Sequence, residues 1–222
     1  GWNVPKHHIW FGIMRFADGV FSTRKGNVIR LEQLMDEGKK RAYDIVNEKN
    51  PDLSFEEKDN IAEIVGVGAI KYADLSQNRQ SPIIFEWDKI LSFEGNTAPY
   101  LQYSYARIQS ILRKAESEGK GIDFTKTILV KTPQERALAN HIAAFPMAVI
   151  KASETFKPNV IADYLFELAK KFNSFYNSCP ILNQEDEILF SRGLLAKVAG
   201  AVSYTHLRDH ETVLDLVCRL LL

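Results

Sequence analysis

The sequence predicts a mainly α-helical protein, the larger part of it an antiparallel helical bundle. Three observations carry this. From Asn96 onward apolar residues recur at helical spacing; the breaks, at Gly119-Lys120-Gly121, Lys157-Pro158 and Pro180, are short; and the β-prone runs near 8–14 and 82–87 are brief. Long helices joined by short loops pack as antiparallel neighbours. A chain of 222 residues is one large domain or two small ones, with a sizeable core within reach.

His8-Ile9-Trp10-Phe11-Gly12-Ile13-Met14 is a short apolar run rich in β-formers and reads as a buried strand. A polar loop with Gly19 and Gly26 follows. Leu31, Leu34, Met35, Ala42 and Ile45 then mark a helix that Pro51 stops. Ser54 with Glu57 three residues on is a capping-box signal, opening a second helix through Ile61, Ile64, Val65, Ile70 and Tyr72. Pro82 to Trp87 is too short for a helix and reads as an isolated strand or extended segment. Helices are expected over 97–118, 133–156, 158–178 and 184–201. There is no internal repeat and no low-complexity linker.

Composition is that of an ordinary globular chain, with 45% hydrophobic and 25% charged residues. Twenty-eight basic residues balance twenty-eight acidic ones, so any nucleic-acid partner must be read from local patches. Cys179 and Cys218 are the two cysteines, which argues against a disulfide framework and for a reducing cytoplasm. No apolar run approaches the ~20 residues that span a bilayer, so no membrane is expected. The opening Gly1-Trp2-Asn3 has neither Met nor a basic-then-apolar leader; it reads as cut from a longer protein, without a signal peptide.

Three segments carry chemistry. Phe21-Ser22-Thr23-Arg24-Lys25-Gly26 combines hydroxyls, adjacent cations and a glycine. Such a loop can close over a triphosphate and offset charge that develops in transfer, although the same composition suits an ordinary solvated turn. In Phe93 to Arg107, Asn96 or Thr97 can cap a helix with Pro99 in its first turn. Leu101, Tyr105, Ile108 and Leu112 then make an apolar stripe. Tyr100, Tyr103 and Arg107 fall at i, i+3 and i+7 on the neighbouring face, with Gln102 beside them. Two phenols and a guanidinium so aligned suit unstacked RNA bases and phosphates. The plainer reading is packing tyrosines with wet tips and an Arg107 paired with an acid. In Phe172 to Leu182, the core face of Ile161, Leu165, Leu168, Phe172 and Phe175 ends in Tyr176, just before Pro180 turns the chain. Cys179 has no His near it in sequence and reads as inert packing.

Four blocks, in order, closely resemble arginyl-tRNA synthetases: the Ser22-Thr23-Arg24-Lys25-Gly26 loop, Val67 to Leu75, Phe93 to Arg107, and Phe175-Tyr176-Asn177-Ser178-Cys179-Pro180-Ile181-Leu182. The likeness covers residues 5 to about 202. It implies the end of a class I Rossmann-type catalytic domain with a KMSKS-like loop in 1–26, a stem-contact or connecting region in 27–94, and an α-helical anticodon-binding bundle in 95–202. It further implies arginine-tRNA ligase activity in the intact parent, cytoplasmic and monomeric. Its partners are ATP with accompanying Mg2+, arginine and arginine-accepting tRNA, and no cofactor is tightly bound. On the ATP side the likeness points to His8, Phe11 and Gly12, bordering the adenine pocket, and to Ser22, Thr23, Arg24 and Lys25. On the tRNA side it points to Tyr100, Gln102, Tyr103, Arg107 and Tyr176.

The loop departs from the usual signature, which opens with lysine: here no cation lies between Phe21 and Arg24, so which cation faces the phosphates stays open. Nothing in the chain matches the family's HIGH signature and arginine pocket, so no catalytic constellation is complete and the chain alone is not expected to aminoacylate. Competing readings are a non-catalytic tRNA-binding helical module, a sister synthetase, and a bundle without a ligand.

The tail from Ser203 to Leu222 reads differently. Val202-Ser203-Tyr204-Thr205-His206-Leu207 is what GTC-TCT-TAT-ACA-CAT-CT encodes, which looks like the inverted end of a transposon used to build sequencing libraries. The expectation is a non-native, adapter-derived tail; a native reading frame through this stretch of the source locus would sink it. His206 and His210, at i and i+4 beside Glu211, have a metal-binding spacing but lack a third ligand, so no metal is expected there.

Overall fold

The computed structural model describes residues 4–16, 19–20, 30–122, 125 and 127–207 of the chain. The loop carrying Ser22, Thr23, Arg24 and Lys25 lies outside the described residues, as do His210, Glu211, Cys218 and the rest of the tail beyond Leu207; the side chain of His206 does too.

Near the N-terminus a small sheet forms from β1 (Met14–Phe16), β2 (Gly19–Val20) and β3 (Ile83–Phe85), in the order β2-β1-β3. β1 runs antiparallel to β2 and parallel to β3, pairing Met14 with Ile83 and Phe16 with Phe85. Two expectations are corrected here. The strand at 8–14 begins only at Met14, and the apolar run before it is exposed: Phe11 at 82% and Ile13 at 65%. Apolar character alone does not bury a segment; among the described residues no layer packs over that run. The 82–87 segment is not isolated but the central strand's parallel neighbour, with Trp87 opening the short helix α3 (Trp87–Ile90).

The helices α1 (Leu31–Lys49) and α2 (Phe55–Leu75) make a hairpin. The expected capping box is present: the Glu57 N–H donates to Ser54 Oγ at 3.3 Å and the Ser54 N–H to Glu57 Oε2 at 3.0 Å. The two helices meet at glycines. A Cβ on Gly66 would stand 2.5 Å from the carbonyl carbon and oxygen of Gly38, so the backbones touch where no side chain fits. Ala42, Val46, Ile61, Ala62 and Val65 fill the seam around this crossing, together with Leu91 and Ala106. Gly66→Ala is therefore expected to destabilise the chain by about 1–3 kcal/mol through forced separation of the helices. Alanine would instead gain about 1 kcal/mol in a free helix. Urea unfolding distinguishes the two, because a raised midpoint would mean the helices do not meet there.

The remaining helices are α4 (Ala98–Ser117), α5 (Pro133–Ala143), α6 (Phe145–Thr155), α7 (Asn159–Ser178) and α8 (Asp186–Leu207). The helix expected over 133–156 is two. Pro146 has no N–H to give the Ile142 carbonyl, so the chain breaks at Ala144 and restarts. The last helix runs to Leu207, past the expected end at 201, with Ser203 Oγ donating to the Ala199 carbonyl. A second apolar cluster joins α4, α5, α7 and α8 through Leu101, Ile108, Leu138, Leu168, Phe172 and Leu195. Tyr72 of α2 reaches into it, its hydroxyl 2.6 Å from Asn96 Oδ1 and 3.1 Å from the Ala162 carbonyl. Of the two capping candidates Thr97 caps α4, accepting from the Tyr100 N–H at 3.3 Å, while Asn96 holds Tyr72.

Candidate nucleic-acid interface

Two helices place the candidate face. α4 presents Tyr100, Tyr103 and Arg107 along one side, as the spacing requires, and α7 lies beside it with Asn173 and Tyr176 at i and i+3. Both helices are held by the core residues on their opposite sides, Leu101 and Ile108 from α4 and Leu168, Phe172 and Phe175 from α7. The face between them is therefore rigid before any ligand arrives.

Arg107 lies between two aromatic rings. Its guanidinium carbon is 4.5 Å from the Tyr103 ring centroid and 4.9 Å from that of Tyr176. Its Nη1 donates to Asn173 Oδ1 at 2.9 Å, and its Nη2 donates to the Tyr103 hydroxyl. No carboxylate among the described residues pairs with it. The plain reading of an Arg107 ion pair is thus set aside: the cation is positioned by neutral groups and keeps its full charge. Tyr100 packs edge-on against Phe166, with centroids 5.6 Å apart, and its hydroxyl accepts from Asn173 Nδ2 at 3.0 Å. Tyr176 is 38% exposed and borders an open depression of about 400 Å³ lined by Ile111, Asn177, Pro180, Ile181 and Leu182. Aromatic faces, an unneutralised guanidinium and an apolar recess wide enough for a splayed base make a surface suited to single-stranded RNA.

Gln102 does not belong to this face. It is buried, with 8% exposure, and points toward α2, where a Cβ on Gly68 would come within 2.9 Å of its Nε2. It is next to Tyr103 in sequence, and in a helix that single step turns the side chain by about 100°. Asn173, which the sequence reading passed over, is at the centre of the cluster. Its position three residues before Tyr176 was the available signal. Cys179 is buried beside Thr132 Oγ1 at 3.3 Å, as packing.

On the other expected site, His8 and Phe11 lie in the exposed segment before β1. Gly12 has a steric reason to be glycine: its N–H donates to the Arg79 carbonyl at 2.6 Å, and a Cβ would stand 2.4 Å from the Ser81 oxygen. Arg79 also donates through Nε to the Phe156 carbonyl at 2.8 Å and through Nη1 to the Trp10 carbonyl, tying this segment to the end of α6.

A helical bundle with an RNA-suited face, following a short parallel-paired sheet, defines a protein of the class I aminoacyl-tRNA synthetase kind. Family comparison agrees: residues 3–87 match the model of the tRNA synthetases class I (R) catalytic domain, and residues 101–208 match that of the DALR anticodon binding domain. The arginine–tRNA ligase of Fusobacterium nucleatum is 66% identical over 202 residues, covering 91% of this chain and 36% of that protein. That of Chromobacterium violaceum is 46% identical, covering 90% of this chain and 34% of that protein. The solved structure of the Thermus thermophilus arginyl-tRNA synthetase superposes with a TM-score of 0.79 at 33% identity, over 96% of this chain and 34% of that one. The chain belongs to the arginyl-tRNA synthetase family and spans about a third of the length of the curated relatives it matches. Class I synthetases use ATP. No helix among the described residues is long and apolar enough to cross a membrane.

Proposed function

We propose that the intact protein is an arginine–tRNA ligase, attaching arginine to its tRNA at the expense of ATP. In this reading residues 95–202 grip the anticodon arm, 27–94 contact the stem, and 1–26 close over ATP. The observation that supports it best is Arg107, held between Tyr103 and Tyr176 by neutral partners with no acid among the described residues to neutralise it. In a purely structural bundle a half-buried cation so arranged contributes only its hydrogen bonds to uncharged partners and its ring contacts, each on the order of 1 kcal/mol.

Tyr100, Tyr103, Arg107 and Tyr176 are the proposed RNA contacts. Ser22, Thr23, Arg24 and Lys25 are proposed to face the ATP phosphates, with His8, Phe11 and Gly12 beside the adenine. Mg2+ enters with ATP as part of that substrate and supplies charge neutralisation at the phosphates. The protein works in the cytoplasm as a monomer, and residues 203–222 are taken as a non-native tail.

The test is filter binding of arginine-accepting tRNA and of its anticodon-arm hairpin. Tyr103→Ala and Tyr176→Ala are each expected to cost on the order of 1–3 kcal/mol of affinity, by removing one wall of the guanidinium slot and a stacking surface. Wild-type affinity in both variants would remove the proposed face. Binding that ignores both salt and anticodon would point to a bundle without a specific ligand.

A further inference from the structure

Asn173 uses every hydrogen-bonding group of its amide within the candidate face. Its oxygen accepts from Arg107 Nη1 at 2.9 Å, and its nitrogen donates to the Tyr100 hydroxyl and to Ser104 Oγ, each at 3.0 Å. The orientation of the amide is forced: a guanidinium only donates, so Oδ1 faces Arg107 and Nδ2 faces the two hydroxyls. Ser104 is buried and passes its own proton to the Tyr100 main-chain carbonyl at 3.0 Å. It is thereby satisfied. The two phenols are not. The Tyr100 hydroxyl oxygen accepts a hydrogen bond from Asn173, and that of Tyr103 accepts one from Arg107, so each keeps its own O–H to donate.

We infer that Asn173 is a positioning residue that turns this network outward, so that the face offers the O–H groups of Tyr100 and Tyr103 and the remaining N–H groups of Arg107 as donors. Such a face takes RNA groups rich in acceptors: phosphate oxygens, or the carbonyl and ring-nitrogen edges of bases. The inference rests on the anticodon-arm reading given above. An aspartate at the same place would hold Arg107 but neutralise it and would lose the N–H donors; an aliphatic residue would release all three partners. Only a side-chain amide supplies an acceptor and two donors on a planar end of this size.

The experiment uses the full-length synthetase and its tRNA anticodon-arm hairpin, with dissociation constants measured at several salt concentrations for Asn173→Ala, Asn173→Asp, Arg107→Ala and the Asn173→Ala/Arg107→Ala double variant. Each single alanine variant is expected to weaken binding about 10-fold or more. The double variant is expected to bind within about 2-fold of Arg107→Ala, because Asn173 acts through Arg107. Residues that merely stabilise the bundle would instead add. Asn173→Asp, close to isosteric, carries the test if the alanine variant fails to fold; it too is expected to weaken binding, and wild-type affinity in it overturns the inference.

Additive losses, or wild-type affinity in Asn173→Ala, likewise overturn the role of Asn173 while leaving the RNA face in place. Wild-type affinity in Arg107→Ala overturns the anticodon-arm reading itself. The salt series separates the two acceptor sources. A phosphate contact lowers the salt slope by about one in Arg107→Ala, whereas a base-edge contact leaves the slope and makes the loss disappear with an abasic nucleotide at that position.

Discussion

Replacing Glu135 by alanine is expected to lower the unfolding free energy of the chain by about 3–5 kcal/mol, the loss typical of a buried ion pair deprived of one partner. Glu135 stands in the first turn of α5 and is 2% exposed. Its carboxylate accepts from the main-chain N–H groups of Lys131 and Thr132, at 2.6 and 2.8 Å, and from Arg192 Nε of α8 at 2.7 Å. Removing it leaves two cap donors and Arg192 Nε, on a side chain itself 12% exposed, without an acceptor. Burial by itself would raise the Glu135 carboxyl; the Arg192 hydrogen bond and the two main-chain N–H groups outweigh burial and hold it below the usual carboxylate range.

The sign of the pH dependence follows. A carboxyl depressed in the folded state contributes stability that is present above its unfolded value, near 4.3, and is lost as pH falls through the lower folded value. Urea midpoints of the wild-type chain should therefore fall below about pH 4.3 more steeply than those of Glu135→Gln, which has no charge to lose there. Equal acid slopes would show that the pair does not contribute. The consequence reaches the proposed RNA face, because Arg192 Nη1 also donates to the Pro180 carbonyl at 2.6 Å, and Pro180 lines the depression beside Tyr176.

Much of the bundle could be read from the sequence because its helices carry strong local signals. The Ser54–Glu57 box and Pro99 in the first turn of α4 act through nearest neighbours, and the structure repeats them. The apolar stripes at 101, 105, 108, 112 and at 161, 165, 168, 172, 175 likewise predicted which sides face the core, Leu112 and Ile161 being only partly buried. Most of what was misread depends on groups distant in sequence. The run at 8–13 looked buried because its composition is that of a strand, but its burial depends on what packs over it. Pro146 was read through because the apolar period continues on both sides of a missing N–H. Gln102 was grouped with the tyrosines by proximity in sequence, whereas the helix turns it toward Gly68, a contact 34 residues away. Asn173 escaped for the complementary reason: its partners Tyr100, Ser104 and Arg107 sit on another helix, and within α7 only its position three residues before Tyr176 hints at the face.

The second large effect expected is on RNA binding. Arg107→Ala should weaken the anticodon-arm complex by about 1–3 kcal/mol while lowering the unfolding free energy by less. The separation of the two quantities is what identifies a binding group. In the free protein Arg107 donates to two uncharged acceptors and lies over two rings at a half-buried surface, where competing water keeps each contact to about 1 kcal/mol. Against a phosphate oxygen on RNA the same guanidinium meets a full negative charge, and such ion-paired bonds are stronger than those to an amide or a phenol. In the full-length enzyme the loss should therefore appear as a raised KM for tRNA with the KM for ATP unchanged, since Arg107 lies in the bundle and not on the proposed ATP side. Arg107→Lys should recover little of it: an ammonium has the charge but no plane to lie between the Tyr103 and Tyr176 rings, and no fork to hold Asn173 and the Tyr103 hydroxyl together. Full rescue by lysine would mean that charge alone matters and that the aromatic slot is packing. A fall in stability equal to the fall in affinity would mean that Arg107 supports the bundle and does not read the RNA.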